Sequence, residues 1–432
     1  MAAPRATGSG GRSGRPRWSS GLTVRGRCLL AGGIATGVSA VVLDERDLLR
    51  LALFVVALPL LSLLVAAVTR RVVRADRTVD PARVSVGAEC TVDVRLSGGP
   101  LVGALRVADT VPDAAGPRPS APPRFTVHRL PPRTGVLLRY PLRPVLRGDH
   151  RVGPLVARVT DPLGLAEFPR RYGGADRLLV LPATVDLHGL PSALGGGEGT
   201  PGAVVAHQGI GEPDVMVRPY RSGDEIRRVH WRATARHDEL MVRLEERPWR
   251  GEITVLLDRR DGAHRGDGPS SSLEYAVSMA ASIALHLVRA GEPVTVVTED
   301  GAALAPRLGG SSGLPATGAD ELLDALATLR VSARTTLDGP LLAPSGDVVA
   351  IVGETTSDDV AALLERRPAS GHAVVLDVAS WDDGATARPA DATAADLRRA
   401  GWHVTVARAD TDPRTSWADL SSGRRLVPGA AR

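Results

Sequence analysis

The sequence predicts a multi-domain chain: a two-helix membrane hairpin, an antiparallel β-sandwich of the Ig-like kind, and a doubly wound α/β domain. Three observations predict it. Two uncharged apolar runs lie near the N-terminus, period-two alternation fills the stretch from 77 to 185, and after Gly251 short apolar strands alternate with amphipathic helices. At 432 residues and 43% hydrophobic content, the chain is long enough to bury more than one core.

The apolar runs come first in the chain. Cys28 to Leu43 holds sixteen residues without a charge and Leu51 to Val68 eighteen, so residues 28–69 are assigned to two transmembrane helices. Sixteen residues make roughly 24 Å of helix against a hydrocarbon core of about 30 Å, so the first span is short. Pro59 in the second is tolerated when neighbouring helices satisfy the freed carbonyl. The tail 1–27 carries Arg5, Arg12, Arg15, Arg17, Arg25 and Arg27 and no acid, and Arg70, Arg71 and Arg74 follow the second run. The connector Asp44, Glu45, Arg46, Asp47 is acidic. The positive-inside rule then places a multi-pass protein in the inner (cell) membrane, with both termini and the soluble domains facing the cytoplasm. The competing possibility is a cleaved signal peptide with Val38, Ser39 and Ala40 at its cleavage site.

The formal charge of +5 belongs to the tail. Beyond residue 27 there remain 47 arginines against 48 carboxylates, so the body lacks the positive excess that nucleic-acid binding exploits, and no nucleic-acid partner is expected. The chain contains no lysine, so arginine fills ordinary surface positions and arginine count alone carries little weight. The same absence excludes a phosphate-cradling GxxxxGK[ST] loop in the glycine-rich linker 186–216. Two cysteines, Cys28 and Cys90, far apart in sequence, do not make a disulfide framework.

In the β region, Cys90, Val92, Val94 and Leu96 alternate with Thr91, Asp93 and Arg95, and further strands are read at Val136–Tyr140 and Leu155–Val159. No helix is expected between about Arg77 and Leu181, which gives the sandwich a span of 77–185. The α/β domain is assigned to 251–415, with a tail at 416–432. Its strands are Ile253–Leu257, Pro293–Val297, Asp347–Val352, Ala373–Val378 and Val404–Ala407. Its helices are Ser272–Arg289, Ala319–Leu329, Asp358–Arg366 and Asp396–Ala400. Ligands of such sheets sit at the carboxyl ends of strands, and the first strand ends at Asp258.

Between these domains, 217–250 is the segment densest in polar chemistry: Val217 to Glu246 holds seven arginines, six carboxylates, two histidines and a tryptophan. Val217–Tyr220 reads as extended, and Ser222 with Glu225 fits a capping box opening a helix from about Asp224 to Arg236. Ile226, Val229 and Ala233 share one face of it, and Arg228, Arg232 and Arg236 form a ridge, with Trp231 between that ridge and Arg227. The segment reads either as an interdomain lock of ion pairs or as a protein-binding surface, since tryptophan and arginine most often anchor interfaces. His230 and His237 stand too far apart along a helix to share a metal, and no HExxH, CxxC or GxSxG element occurs, so no catalytic residue is assigned, no cofactor is expected and the protein is not read as an enzyme.

The runs PYRSGDEIRRVHWRATARHDELMVRLEE and YPLRPVLRGDHRVGPLVARVTDPLGLAEFPRR, in that spacing, resemble the bacterial family called domain of unknown function 58. The matching positions are Tyr220, Arg221, Gly223, Asp224, Arg227, Arg228, Trp231, Ala233, Thr234, Ala235, Arg236, Leu240, Val242 and Arg243, with Arg232 on the same ridge. The resemblance implies a von Willebrand factor A-like C-terminal region and a scaffold or adaptor role. The partner it implies is a MoxR-type AAA+ ATPase in a cell-envelope or assembly process, and the lipid bilayer is the second partner. In von Willebrand domains with a metal site a DxSxS loop follows the first strand. Here the chain reads Asp258, Arg259, Arg260, Asp261, Gly262, so no metal-dependent adhesion site is expected. The alternative function is a metal-dependent hydrolase or ligand-binding domain with its site near Asp258.

Overall fold

A computed structural model describes residues 21–68, 73–98, 105–112, 123–128, 130–131, 134–161, 163–191, 194, 217–219, 231–237, 239–243, 252–309, 315–342, 346–367, 371–382 and 388–422. The chain divides into two compact units, Met1–Leu181 and Pro182–Arg432.

The first unit opens with a two-residue strand, β1 (Gly21–Leu22), then α1 (Val24–Val42) and α2 (Arg46–Val68). Thr23 caps α1 by accepting from the Gly26 amide, so the helix begins four residues before the uncharged run and takes in Arg25 and Arg27. The two helices lie against each other through small residues. A Cβ on Gly33 would stand 2.8 Å from Val56 Cγ2, and one on Gly37 would touch Ala52. Asp44 makes the turn with φ 53°. Among the described residues α2 alone is long and apolar enough to cross a membrane, over Arg46–Val65. Expectation and structure therefore part at the first predicted span. The glycines that let α1 approach α2, together with two arginines in its first turn, dilute its hydropathy.

The β region follows as β2 (Val73–Asp80), β3 (Arg83–Ser85), β4 (Cys90–Gly98), β5 (Leu105–Asp109), β6 (Arg124–Val127), β7 (Val136–Leu142), β8 (Gly148–Val152), β9 (Leu155–Thr160), β10 (Ala166–Tyr172) and β11 (Asp176–Leu181). They form three sheets, ordered β1-β10-β9-β5-β6, β2-β4-β7 and β3-β11-β8. All pairings are antiparallel except β3 with β11, which is parallel. Cys90, Val92, Val94 and Leu96 are all buried, as their alternation predicts, and meet Leu105, Val107, Tyr140, Leu155, Leu178 and Val180 in one core drawn from all three sheets. Inside it the Arg77 guanidinium binds both oxygens of Asp109, which also accepts from Tyr140 Oη at 2.6 Å. Burial and the neighbouring Asp109 charge hold the Tyr140 phenol well above its usual range.

The second unit contains the small ribbon β12 (Val217–Pro219), α3 (Trp231–His237) and β13 (Met241–Arg243), with β12 and β13 antiparallel. Next come β14 (Ile253–Leu257), α4 (Ser272–Arg289), β15 (Val294–Thr298), α5 (Pro315–Thr328), β16 (Asp347–Val352), α6 (Ser357–Arg366), β17 (His372–Leu376), α7 (Ala390–Arg399), β18 (His403–Ala407) and α8 (Pro413–Ser422). The five strands β15-β14-β16-β17-β18 are all parallel. β14 and β17 are buried at every position, the run expected of a sheet covered on both faces. One core layer joins Ile253, Val255 and Leu257 to α4, α5 and α8, and the other joins Leu256, Val348, Ala350 and Val352 to α6 and α7.

Two expected boundaries shift. The tail assigned to 416–432 begins inside α8, whose Trp417 is fully buried in the first core layer. The linker assigned to 186–216 also begins too early. Ser278 Oγ donates to the Ala183 carbonyl, the Val185 amide to Ser282 Oγ and Trp417 Nε1 to the Gly189 carbonyl, so residues 183–189 lie strapped to α4 and α8.

Candidate functional site

In a parallel sheet of this order, the crevice outside the carboxyl ends of the first and third strands, here β14 and β16, is where ligands bind. Asp258, the residue after β14, is fully buried there. The loop that follows turns Arg260 back onto it. Arg260 Nε and Nη2 each lie 3.0 Å from one oxygen of Asp258, and the Arg260 amide donates to Oδ1 as well. The remaining guanidinium hydrogens go to Asp359 Oδ1 at 2.9 Å, the Thr335 carbonyl at 3.0 Å and the Glu354 carbonyl at 3.1 Å. All five donors of the side chain are therefore used. Burial opposes the charge on Arg260, but hydrogen bonds and charge from Asp258 and Asp359 outweigh it and raise its pKa.

Asp359 reaches this point because it is the third residue of α6. Its Oδ2 accepts from the Thr356 amide while Thr356 Oγ1 accepts from its own amide, a reciprocal capping box. Chemically, Arg260 sits in an all-oxygen shell of two carboxylates and two carbonyls, a donor set suited to a hard cation. A ligand at Asp258 would have to displace this arginine. Asp261, further along the same loop, is exposed and opens a short 3-10 turn.

Around this centre lie His264 and Ser272. His264 Nε2 is 2.8 Å from the Asp258 carbonyl and Nδ1 is 3.1 Å from Ser272 Oγ. Burial lowers the His264 pKa, so the neutral ring donates from Nε2 and accepts the Ser272 hydroxyl at Nδ1. Ser272 is wholly buried and also accepts from the Arg265 amide, which makes the pair a brace for the loop instead of a nucleophile and its base. Glu299, just after β15, is buried beside Arg259, with Arg259 Nε 3.2 Å from Oε2. Arg366 bonds the Glu299, Leu337 and Pro340 carbonyls, and burial lowers its pKa.

The motif segment is described only in part. Tyr220, Arg221, Gly223, Asp224, Arg227 and Arg228 lie outside the described residues, as does the capping box at Ser222 and Glu225. The backbone of Arg232 belongs to α3 and that of Arg243 to β13. Trp231 is 67% exposed and Leu240 46%, and Arg236 is exposed too. Thr234 Oγ1 accepts from the Met241 amide at 3.0 Å, which folds α3 back toward β13. Of the predicted ridge, Arg236 is the side chain that is described, and it faces solvent.

The sequence shows Arg260 only as a departure from the DxSxS pattern, and nothing in its spacing alone points to Asp359, His264 or Ser272 as neighbours of Asp258. The Thr356-Ser-Asp-Asp359 spacing signals no more than a capping box, which places Asp359 at the N-terminus of α6, on the carboxyl edge of the sheet. Among the described residues no group of three or more His, Cys, Asp or Glu side chains converges as metal ligands.

Fold and site together define a chain with an apolar helical hairpin on a β unit, and a parallel α/β unit in which Arg260 saturates the buried Asp258 at the carboxyl end of β14. Residues 216–327 match the model of the family described as protein of unknown function DUF58, so the chain carries a DUF58 region. It is 28% identical over 156 residues to the uncharacterized protein YeaD of Bacillus subtilis (strain 168), covering 36% of this chain and 37% of that protein. The chain thus spans little more than a third of that relative. Solved structures similar to it include the sporulation control protein Spo0M of Bacillus subtilis (15% identity, 25% of this chain and 49% of that chain, TM-score 0.13). Another is Cwp6 of Clostridium difficile (8% identity, 81% and 39%, TM-score 0.16). At these TM-scores neither likeness bears on the fold.

Proposed function

We propose that the protein is a membrane-anchored scaffold or adaptor that presents an Ig-like β-sandwich and a von Willebrand factor A-like domain to a protein partner on the cytoplasmic face. The partner is a MoxR-type AAA+ ATPase acting in a cell-envelope or assembly process. The observation that carries the binding role is the exposure of Trp231, 67% open in the family-matching region, on the same short helix as the exposed Arg236. Aromatic and arginine side chains held out to solvent on a short, folded-back helix are the usual anchors of an interface. The saturated Asp258–Arg260 pair supports a non-enzymatic reading, because the crevice that would hold a substrate is filled from within.

The anchor is a two-span hairpin. β1 pairs with β10, Gly21 opposite Glu167, and Thr23 bonds the Leu165 carbonyl, so the start of α1 and the β unit lie on one side of the bilayer. If α2 crosses, the chain between β1 and β2 must cross an even number of times, and α1 is the segment available to return. Its 19 residues make about 28 Å of helix, near the hydrocarbon thickness of about 30 Å. Arginines at this end of the hairpin favour the cytoplasmic side.

The test is capture of the ATPase by tagged full-length protein from solubilised membranes. Trp231→Ala with Arg236→Ala is expected to reduce the retained ATPase at least tenfold, the effect of losing one to two interface anchors at roughly 1–2 kcal/mol each. Undiminished retention would remove this surface from the interface, and hydrolytic turnover lost in Asp258→Ala would replace the scaffold with an enzyme.

A further inference from the structure

We infer that the outer face of the β10-β9-β5-β6 sheet is a docking surface for anionic phospholipid headgroups. The register separates the two faces of this sheet. Leu105, Val107, Ala157 and Val127 point to the core, so Arg106, Arg124, Arg158 and Arg171 share the opposite face. Among the described strand residues the only carboxylate on that face is Glu167, 3.2 Å from Arg158.

Arg106 and Arg158 are direct partners across β5 and β9, an apposition of like charges that Glu167 offsets at Arg158 but not at Arg106. Arg106, Arg124 and Arg171 are exposed. A bound layer of anions would relieve the repulsion. A charged face on a soluble domain is ordinarily just solvated, but this one is attached to a membrane helix. β1, the edge strand of the same sheet, runs through a single residue, Thr23, into α1, and the Leu165 carbonyl is held against Thr23. A Cβ on Gly26 would collide with that same carbonyl, so there is no slack at the joint.

The sheet is therefore tethered where headgroups are, and tethering raises their effective concentration at its surface. Arg25 and Arg27 on the first turn of α1 and Arg74 at the start of β2 are exposed and extend the basic surface along the same end of the hairpin. Juxtamembrane arginines of this kind are attracted to an anionic leaflet within about a Debye length, about 8–10 Å at ordinary salt. Charge complementarity and the rigid joint favour lipid over an acidic protein segment as the occupant.

This inference rests on the membrane-anchor reading, and the experiment separates the two. Full-length protein with Cys28→Ser and Thr126→Cys, labelled with a fluorophore at the new thiol, is reconstituted into nanodiscs of neutral phosphatidylcholine or of phosphatidylcholine with phosphatidylglycerol. Each disc also carries headgroup-nitroxide lipid. Thr126 stands directly opposite Arg106 on the arginine face and is exposed, whereas Cys90 is buried. Quenching is expected to be about twofold greater in the anionic discs and to fall toward the neutral value at high salt, as headgroup attraction requires. Arg106→Gln, Arg124→Gln and Arg171→Gln together should abolish the difference while leaving the circular dichroism spectrum unchanged. Equal quenching in both lipids, or a difference that survives the triple substitution, would overturn the inference and leave the anchor standing. Complete extraction of the protein from native membranes by alkaline carbonate would overturn both.

Discussion

Arg260 shows how a single side chain decides what a crevice can do. Each of its five N–H donors meets an acceptor, and two of those acceptors are carboxylates with almost no contact with water. Arg260→Ala should destabilise the second unit by about 3–5 kcal/mol, because Asp258 and Asp359 are left buried without a counter-charge. The paired change Arg260→Met with Asp258→Asn should recover part of that loss; thermal unfolding of the full-length protein in detergent measures both, and a loss under about 1 kcal/mol for the alanine variant would contradict the geometry. His372 gives a pH dependence. Burial first, and the charge of His403 second, push its pKa from 6.5 down to about 4, and the two rings stack at 5.2 Å. The unfolded chain takes up this proton first on acidification. The contribution is therefore complete above about pH 6.5 and is lost as the pH falls toward about 4, a difference of roughly 3 kcal/mol at most. Between pH 6.5 and 4 the melting temperature of wild type should fall relative to that of His372→Leu, which has no proton to take up at this site; a constant offset between the two curves would show that His372 is not the responsible group.

At the scale of elements, what could be read depended on whether the burial pattern was local. The strand of Ile253–Leu257 and the helix of Ser272–Arg289 were legible to the residue, since continuous burial and a capped amphipathic face are written in adjacent side chains. α8 was missed because Ala418, Asp419 and Ser421 surround Trp417 with polar and small residues, and only tertiary contact shows that Trp417 and Leu420 fill a core. The strap over 183–189 was missed for a related reason. Its bonds come from Ser278, Ser282 and Trp417, about 95 or more positions away in sequence. The strap yields a prediction. Trp417→Phe keeps most of the apolar volume but removes the donor to the Gly189 carbonyl, so overall stability should fall by about 1–2 kcal/mol while amide exchange around 183–189 rises disproportionately. Exchange that rises uniformly across α4 and α8 instead would mean that the indole N–H does not hold the strap.

For the whole molecule, the strongest constraint comes from the smallest strand. Hydropathy alone ranks α2 above α1, and a chain with one crossing would place the arginine tail and the β unit on opposite sides of the bilayer. The two-span anchor proposed above avoids that arrangement. Gly21 and Leu22 hydrogen-bond to β10, and Thr23 donates to the Gly164 carbonyl, so the residues immediately before α1 belong to the β unit. Sequence alone pointed to the hairpin through arginines on both flanks, whereas its glycine-lined joint at Gly33 and Gly37 became intelligible only when Val55, Val56 and Ala52 were seen opposite. The topology is tested by reporters at the two ends of the full-length protein in inverted membrane vesicles, where the cytoplasmic face is outermost. An N-terminal tag and a C-terminal tag should both be cleaved by added protease without detergent, because two crossings return the chain to its starting side and the flanking arginines hold that side in the cytoplasm. Cleavage of one tag alone would break the β1–β10 argument. Protection of both would keep the hairpin and reverse its orientation, which would place the exposed Trp231 surface out of reach of a cytoplasmic ATPase.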